Sequence, residues 1–257
     1  MGEALVTDTA LEAQGLTLSW DGQSLVTRDI SLAVRAGQIV CLVGKSGCGK
    51  TTILHALAGL TAPLEGRVFL HGEDVTGVPG RVSYMLQKDL LLPHLTVQDN
   101  VCLPLVIAGE DKASAREKAA PLFARFGLEG SERRWPTQLS GGMRQRAAFM
   151  RTYLMGNDVV LLDEPFSALD AITRSELRTW YGAMSRELGL ASVMITHDVD
   201  EAALMADRVY VLVGDPAAGV PTQVGTQIEV TRVTEGDFSL TEEFLEAKRA
   251  ITAALAG

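Results

Sequence analysis

Eight residues carry the clearest chemistry in this chain. Gly44-Lys45-Ser46-Gly47-Cys48-Gly49-Lys50-Thr51 fits the spacing G-x-x-x-x-G-K-[ST]. Glycines let the backbone curl until consecutive N–H groups point inward at phosphate oxygens. A helix that starts near Lys50 adds the positive end of its dipole. Lys50 is placed to reach the β and γ phosphates, and Thr51 to offer a hydroxyl to Mg²⁺. This chemistry belongs to a nucleoside triphosphate.

Two adjacent carboxylates form a second group. Val159-Val160-Leu161-Leu162 is an apolar run that ends in Asp163-Glu164. A buried parallel strand delivers the residues at its carboxyl end to the ligand crevice. Asp163 is then placed to hold the metal, and Glu164 to orient and deprotonate a water. A solvated helix start is the alternative. His197 follows a similar run, Val193-Met194-Ile195-Thr196, and reaches the same edge, where it would meet the γ-phosphate and the water. A third group is Leu139-Ser140-Gly141-Gly142-Met143-Arg144-Gln145, a turn feeding a helix. Its free N–H groups at Ser140, Gly141 and Gly142 make a second anion cradle. One nucleotide does not need two cradles in one chain, so the second serves a nucleotide held by another copy.

The elements that must position these residues are legible in outline. Residues 11–34 read as β structure, with further strands at 38–43, 67–70, 82–86, 159–162, 192–195, 208–213 and 227–233. Helices are expected at 51–60, 97–108, 113–126, 141–155, 173–188, 199–206 and 240–255. Pro121 should kink or end the third of these. Residues 215–221 read as a loop, and Asp198 with Glu201 resembles a capping box. Apolar strands that alternate with helices imply an α/β fold on a parallel sheet.

These motifs, in this order, resemble the nucleotide-binding subunit of an ATP-binding cassette (ABC) transporter. The resemblance names a Walker A loop at 44–51, a Q-loop at Gln87, a signature at 139–145 and Walker B at 159–163 with Glu164. It adds a D-loop at Ser167-Ala168-Leu169-Asp170 and an H-loop at His197. It implies a P-loop NTPase core with an antiparallel β subdomain and an inserted helical subdomain. The core is expected over 1–87 and 158–222, the helical subdomain over 88–157 and a strand–helix extension over 223–257. It implies ATP and Mg²⁺ as cofactors, with Thr52 beside the loop in the nucleotide-binding set. Gln87 is implied to touch Mg²⁺ and the water. Trp20 takes the place of the adenine-stacking aromatic; a strand-end core tryptophan is the other reading. Two copies are implied to sandwich two ATP molecules.

Composition bounds the partners. The 257 residues hold 23 Lys and Arg against 32 Asp and Glu, a net charge of −9 that argues against nucleic acid as a partner. Three cysteines cannot all pair within the chain and lack metal-ligand spacing, which fits free thiols in a reducing compartment. There is no basic, apolar leader and no apolar run of about 18–20 residues, so in a membrane process another chain supplies the span, and the resemblance implies that this chain is a separate transmembrane permease. The resemblance further implies an extracytoplasmic substrate-binding protein acting through that permease and a place for the ATPase on the cytoplasmic face of the membrane. The segment 87–100 is read as a groove for a permease helix, although residues 90–92 would equally pack inward. Residues 84–93 and 162–173 resemble the nitrate/sulfonate/taurine importer group, which includes importers of thiamine pyrimidine precursors. The alternative function is a soluble cassette ATPase not attached to a transporter.

Overall fold

The computed structural model describes residues 9–232 and 238–256. Its strands and helices follow the chain as β1 (Thr9–Ser19), β2 (Leu25–Arg35), β3 (Ile39–Val43), α1 (Lys50–Leu57), β4 (Glu65–Leu70), β5 (Glu73–Asp74) and β6 (Ser83–Met85). Then come α2 (Val97–Val101), α3 (Leu103–Ile107), α4 (Lys112–Arg125) and α5 (Gly141–Tyr153). The remainder is β7 (Val159–Asp163), α6 (Ala171–Glu187), β8 (Ala191–Thr196), α7 (Val199–Met205), β9 (Arg208–Asp215), β10 (Val220–Glu229) and α8 (Glu242–Ala256).

One sheet runs through the molecule in the order β5-β4-β1-β2-β10-β9-β3-β8-β7-β6. The strands from β9 to β6 are parallel, as their continuous apolar runs require. Side chains along them alternate between two cores. Ile39, Cys41 and Val43 enter one, while Val40 and Leu42 enter the other. β1, β2, β4 and β5 pair antiparallel at the far side. The expected α/β architecture is therefore present.

Several local expectations change. Pro121 lies inside α4, which continues to Arg125. Ala115, Ala119 and Phe123 bury one face of that helix, and their packing outweighs one missing backbone bond. The single helix read over 97–108 is two, α2 and α3, which meet at Cys102 with Pro104 at the start of the second. The loop read at 215–221 is only a short 3-10 turn, Pro216–Ala218. The strand read at 227–233 is β10, which begins at Val220. It lies inside the sheet, antiparallel to β9 and touching β2 in parallel. A boundary at 222/223 therefore cuts a strand. Gly214 (φ 141°), which a side chain would drive into the backbone of Thr222, sets the tight return that places it there.

Candidate nucleotide-binding site

Strand register assembles the site. Val43 of β3 pairs with Thr196 of β8, Asp163 of β7 with Ile195 of β8, and Met85 of β6 with Leu162 of β7. Gly44, Gln87, Glu164 and His197 therefore leave one sheet edge, each within two residues of a strand end. In parallel sheets that edge is where ligands bind.

The loop after β3 fits a phosphate chain. α1 begins at Gly49, which is left-handed (φ 90°) and supplies no side-chain cap. A Cβ there would lie 2.6 Å from Val26 Cγ1. The first N–H groups of α1 are thus left for an anion. Gly44 and Cys48 are buried beneath the loop, while Lys45, Ser46 and Gly47 form its exposed crest. Lys50 is only 7% exposed. Its ammonium curls back to donate to the carbonyls of Gly44 (2.8 Å) and Lys45 (2.9 Å). Among the described residues no carboxylate pairs with it, so its charge faces the loop uncompensated.

Of the three expected metal ligands, Thr51 and Asp163 meet, whereas the Gln87 amide bonds Glu164 and Ser167. Thr51 Oγ1 donates to Asp163 Oδ2 at 3.2 Å, and the Tyr84 hydroxyl donates to the same oxygen at 3.4 Å. Asp163 is 8% exposed, and burial raises its carboxyl above the ordinary range. A divalent cation would favour the ionised form. Among the described residues no three His, Cys, Asp or Glu side chains gather to hold a metal. The hydroxyl and carboxylate oxygens of Thr51 and Asp163 suit Mg²⁺, which takes one or two protein oxygens and completes its shell with phosphate and water.

Glu164 is the pivot of the site. It has positive φ (44°), and its N–H donates to the Ile195 carbonyl at 3.1 Å. A non-glycine residue in this region is strained and marks a position that the surroundings over-determine. One carboxylate oxygen meets His197 Nδ1 at 3.1 Å, and the other accepts from Gln87 Nε2 at 3.2 Å. The same amide reaches Ser167 Oγ at 3.4 Å. Trp20 follows β1 and is 70% exposed, which removes the core reading. Its indole N–H donates to Thr52 Oγ1 at 3.2 Å, which holds the ring beside α1.

The second cradle lies elsewhere. Ser140 caps α5 by accepting from the Met143 N–H at 3.2 Å. Ser140 is exposed, Gly141 half-buried and Gly142 buried. No hydrogen bond or ion pair joins 139–145 to 44–51 among the described residues. The structure thus brings together Trp20, the loop, Gln87, Asp163, Glu164 and His197, with no bond from Ser140–Gly142 to the loop among the described residues.

Some supporting residues escaped sequence reading. Gln145 donates to the Pro165 carbonyl, tying α5 to the turn that carries Glu164. Arg174 donates to the Leu169 carbonyl at 2.8 Å and approaches Asp198 at 3.8 Å, which links the turn before α6 to the neighbour of His197. Such roles have no local spacing signal. Asp198 caps α7 as expected, but the capping box is half-made. Glu201 is buried and bonds Thr196 instead.

The segment after Gln87 is fixed from behind. Asn100 bonds the N–H and carbonyl of Leu92 and the carbonyls of Leu95 and Thr96. Arg151 holds the carbonyls of Asp89 and Leu90. Leu91 turns inward, whereas Leu86, Leu90 and Leu92 stay exposed. An apolar groove of about 380 Å³ lies between Tyr84, Leu86, Leu103, Pro104, Ile107 and Met155, and no residue of 87–100 lines it.

Known proteins place this arrangement. The family model described as "ABC transporter" matches residues 27–167. The formylaminopyrimidine import ATP-binding protein ThiZ of Halalkalibacterium halodurans is 38% identical over 88% of this chain and 90% of its own. The sulfate/thiosulfate import ATP-binding protein CysA of Synechocystis is 41% identical over 81% of this chain. The Fe(3+) ions import protein FbpC of Agrobacterium fabrum is 44% identical over 72%. The chain spans only 59% and 53% of those last two. Among solved structures, cbiO1 of Clostridium perfringens superposes with a TM-score of 0.77 at 22% identity, over 97% of this chain and 96% of its own. The dimeric bacterial cassette MJ0796 gives 0.71 at 24%, over 87% and 100%. These two likenesses speak to the fold.

Proposed function

The chain belongs to the ABC transporter family, and from that premise we propose that it hydrolyses ATP to drive import of a small solute through a separate permease. The observation that carries the reading is the sheet edge at which Lys50, Thr51, Gln87, Asp163, Glu164 and His197 converge. Phosphoryl transfer to water needs positioning and charge stabilisation rather than covalent chemistry.

Each residue then has a task. Lys50 and the α1 N-terminus hold the phosphates. Thr51, Asp163 and Gln87 hold Mg²⁺, which neutralises charge on the phosphates when bound. Glu164 orients the attacking water and takes its proton, with His197 and Gln87 keeping the carboxylate in place. Trp20 offers a flat exposed face to adenine, backed by Thr52. The Ser140–Gly142 cradle serves the nucleotide of a second copy, because one nucleotide does not need two phosphate cradles from one chain. Hydrolysis therefore requires two chains to close.

The apolar groove lined by Leu86, Leu103, Pro104, Ile107 and Met155 is the seat for the permease, and Leu86 precedes Gln87 in the chain. The chain works at the cytoplasmic face of the membrane, and a binding protein delivers cargo to the permease. Among the described residues no helix is long and apolar enough to cross a membrane. The helical unit 88–157 moves with the signature against the sheet and the helices packed on it. The likeness to ThiZ, which runs nearly end to end on both chains, supports a cargo of the pyrimidine-precursor or nitrate/sulfonate/taurine kind.

Glu164→Gln tests the reading. The variant should bind ATP, become dimeric with Mg·ATP on a sizing column, and lose phosphate release by about 10²–10⁴-fold, the usual share of a general base. Turnover at the wild-type rate overturns the assignment.

A further inference from the structure

Asp163, the carboxylate expected at the metal, is buried yet sparsely held. Among the described residues no Lys or Arg pairs with it and no backbone N–H donates to its side chain. Its donors there are two hydroxyls, both on Oδ2: Thr51 Oγ1 at 3.2 Å and the Tyr84 hydroxyl at 3.4 Å. The χ2 torsion of an aspartate is broad and roughly two-fold, so its donors, rather than its rotamer, set the plane of the carboxylate. The two donors are not equivalent. Thr51 is itself a metal ligand on the reading above. Tyr84 has no such task, and its hydroxyl bonds no other group among the described residues.

The fold holds Tyr84 in place for this bond. Tyr84 of β6 pairs with Leu161 of β7. Side chains two apart share one face of a strand, so Leu161 and Asp163 point to the same side, and Tyr84 beside Leu161 joins them. Leu161 belongs to the core on that side and the Tyr84 ring packs against that core, whereas Met85 enters the other. From α1, His55 meets the ring edge to face at 5.8 Å and 87°. His55 lies one helical turn after Thr51, so one face of α1 covers both the ring and the carboxylate. A phenylalanine fills the same space without the bond.

We propose that Tyr84 is a positioning residue for metal binding, whose hydroxyl fixes the orientation of the Asp163 carboxylate. The inference rests on the reading that Thr51 and Asp163 hold Mg²⁺, and it adds a residue that acts through Asp163. Groups that hydrogen-bond a metal-ligating side chain orient it, and their loss typically costs about 10–100-fold in metal affinity or activity.

The test is equilibrium binding of a non-hydrolysable ATP analogue to the full chain, once in EDTA and once in excess Mg²⁺. The ratio of the two affinities is the gain from the metal. Tyr84→Phe keeps the ring against His55 and should match wild type in EDTA, while its gain from Mg²⁺ should shrink by about tenfold. In phosphate release at saturating ATP, the Mg²⁺ concentration for half-maximal rate should rise by a similar factor, and excess Mg²⁺ should restore most of the maximal rate. A tyrosine that only packs shifts the affinities with and without metal together. An unchanged gain in Tyr84→Phe therefore overturns the proposal, as does an equal loss in both conditions. Asp163→Asn separates this outcome from failure of the underlying reading. That variant should lose the gain. If it loses the gain and Tyr84→Phe does not, only the role of Tyr84 falls. If it keeps the gain, or wild type shows none, Asp163 is not the metal's carboxylate and both readings fall.

Discussion

Asp163 shows how one residue serves two opposed demands. Its carboxyl is buried against Thr51 and Tyr84, and burial raises it above the ordinary range. Such a group favours the folded state when protonated, and that advantage is lost as pH rises through the raised value. Above that raised value the nucleotide-free protein has lost this advantage. Asp163→Asn should melt higher than wild type at pH 7, by a few degrees, since about 1 kcal/mol shifts a domain of this size by about 2–4 °C. The gap should close as pH falls through the raised carboxyl value, and the stabilisation that Mg·ATP gives wild type should disappear. A lower melting temperature at pH 7 contradicts this account. Glu164, one residue on, has the same chemistry but a different task, because its positive φ turns the side chain toward Gln87 and His197.

At the scale of elements, the junction of α5 and α6 decides whether the second cradle is presented. Gly142 lies in the first turn of α5, where a Cβ would come 2.8 Å from Thr173 Cγ2 of α6. Behind it the two helices are held by aromatic packing, with Phe149 stacked on Tyr181 at 4.7 Å. Gly142→Val forces the helices apart at the cradle while leaving the phosphate loop of the same chain alone. Overpacking of this kind costs about 1–3 kcal/mol, so the melting temperature should fall by several degrees. ATP affinity of the single chain should hold, and turnover should drop by about 10²-fold or more, the scale of lost transition-state donors. Equilibrium nucleotide binding and phosphate release, measured on one preparation, check the split. Unchanged turnover would remove the signature helix from the reaction.

For the whole molecule, β10 joins the antiparallel strands to the parallel ones. Both regions would otherwise meet as open edges, with unpaired backbone and an exposed core. A chain ended after residue 219 should therefore fail to fold, as judged by loss of a cooperative thermal transition. A chain ended after residue 240, which keeps β10 and loses α8, should fold with lower stability, because Phe244, Ala247 and Ile251 leave the core. If the 219-residue chain folds cooperatively, β10 is dispensable and the sheet is two independent units.

The amino-acid sequence by itself determined the chemistry. A phosphate loop needs contiguous residues at fixed spacing, and apolar strands that end in Asp163-Glu164 or before His197 announce a ligand edge through patterns a few residues long. The α/β class followed from the same local periodicity. Tertiary structure alone decided what depends on pairs distant in the chain. The register of Val43 with Thr196 and of Asp163 with Ile195 brings the motifs to one edge, and the bond from Trp20 to Thr52 makes an exposed shelf of an ambiguous aromatic. The insertion of β10 and the meeting of Thr51, Tyr84 and Asp163 arise in the same way. Short-range sterics and hydrogen bonding leave a periodic mark on sequence, whereas strand order and side-chain clustering arise from the burial of surfaces that are far apart until the chain has folded.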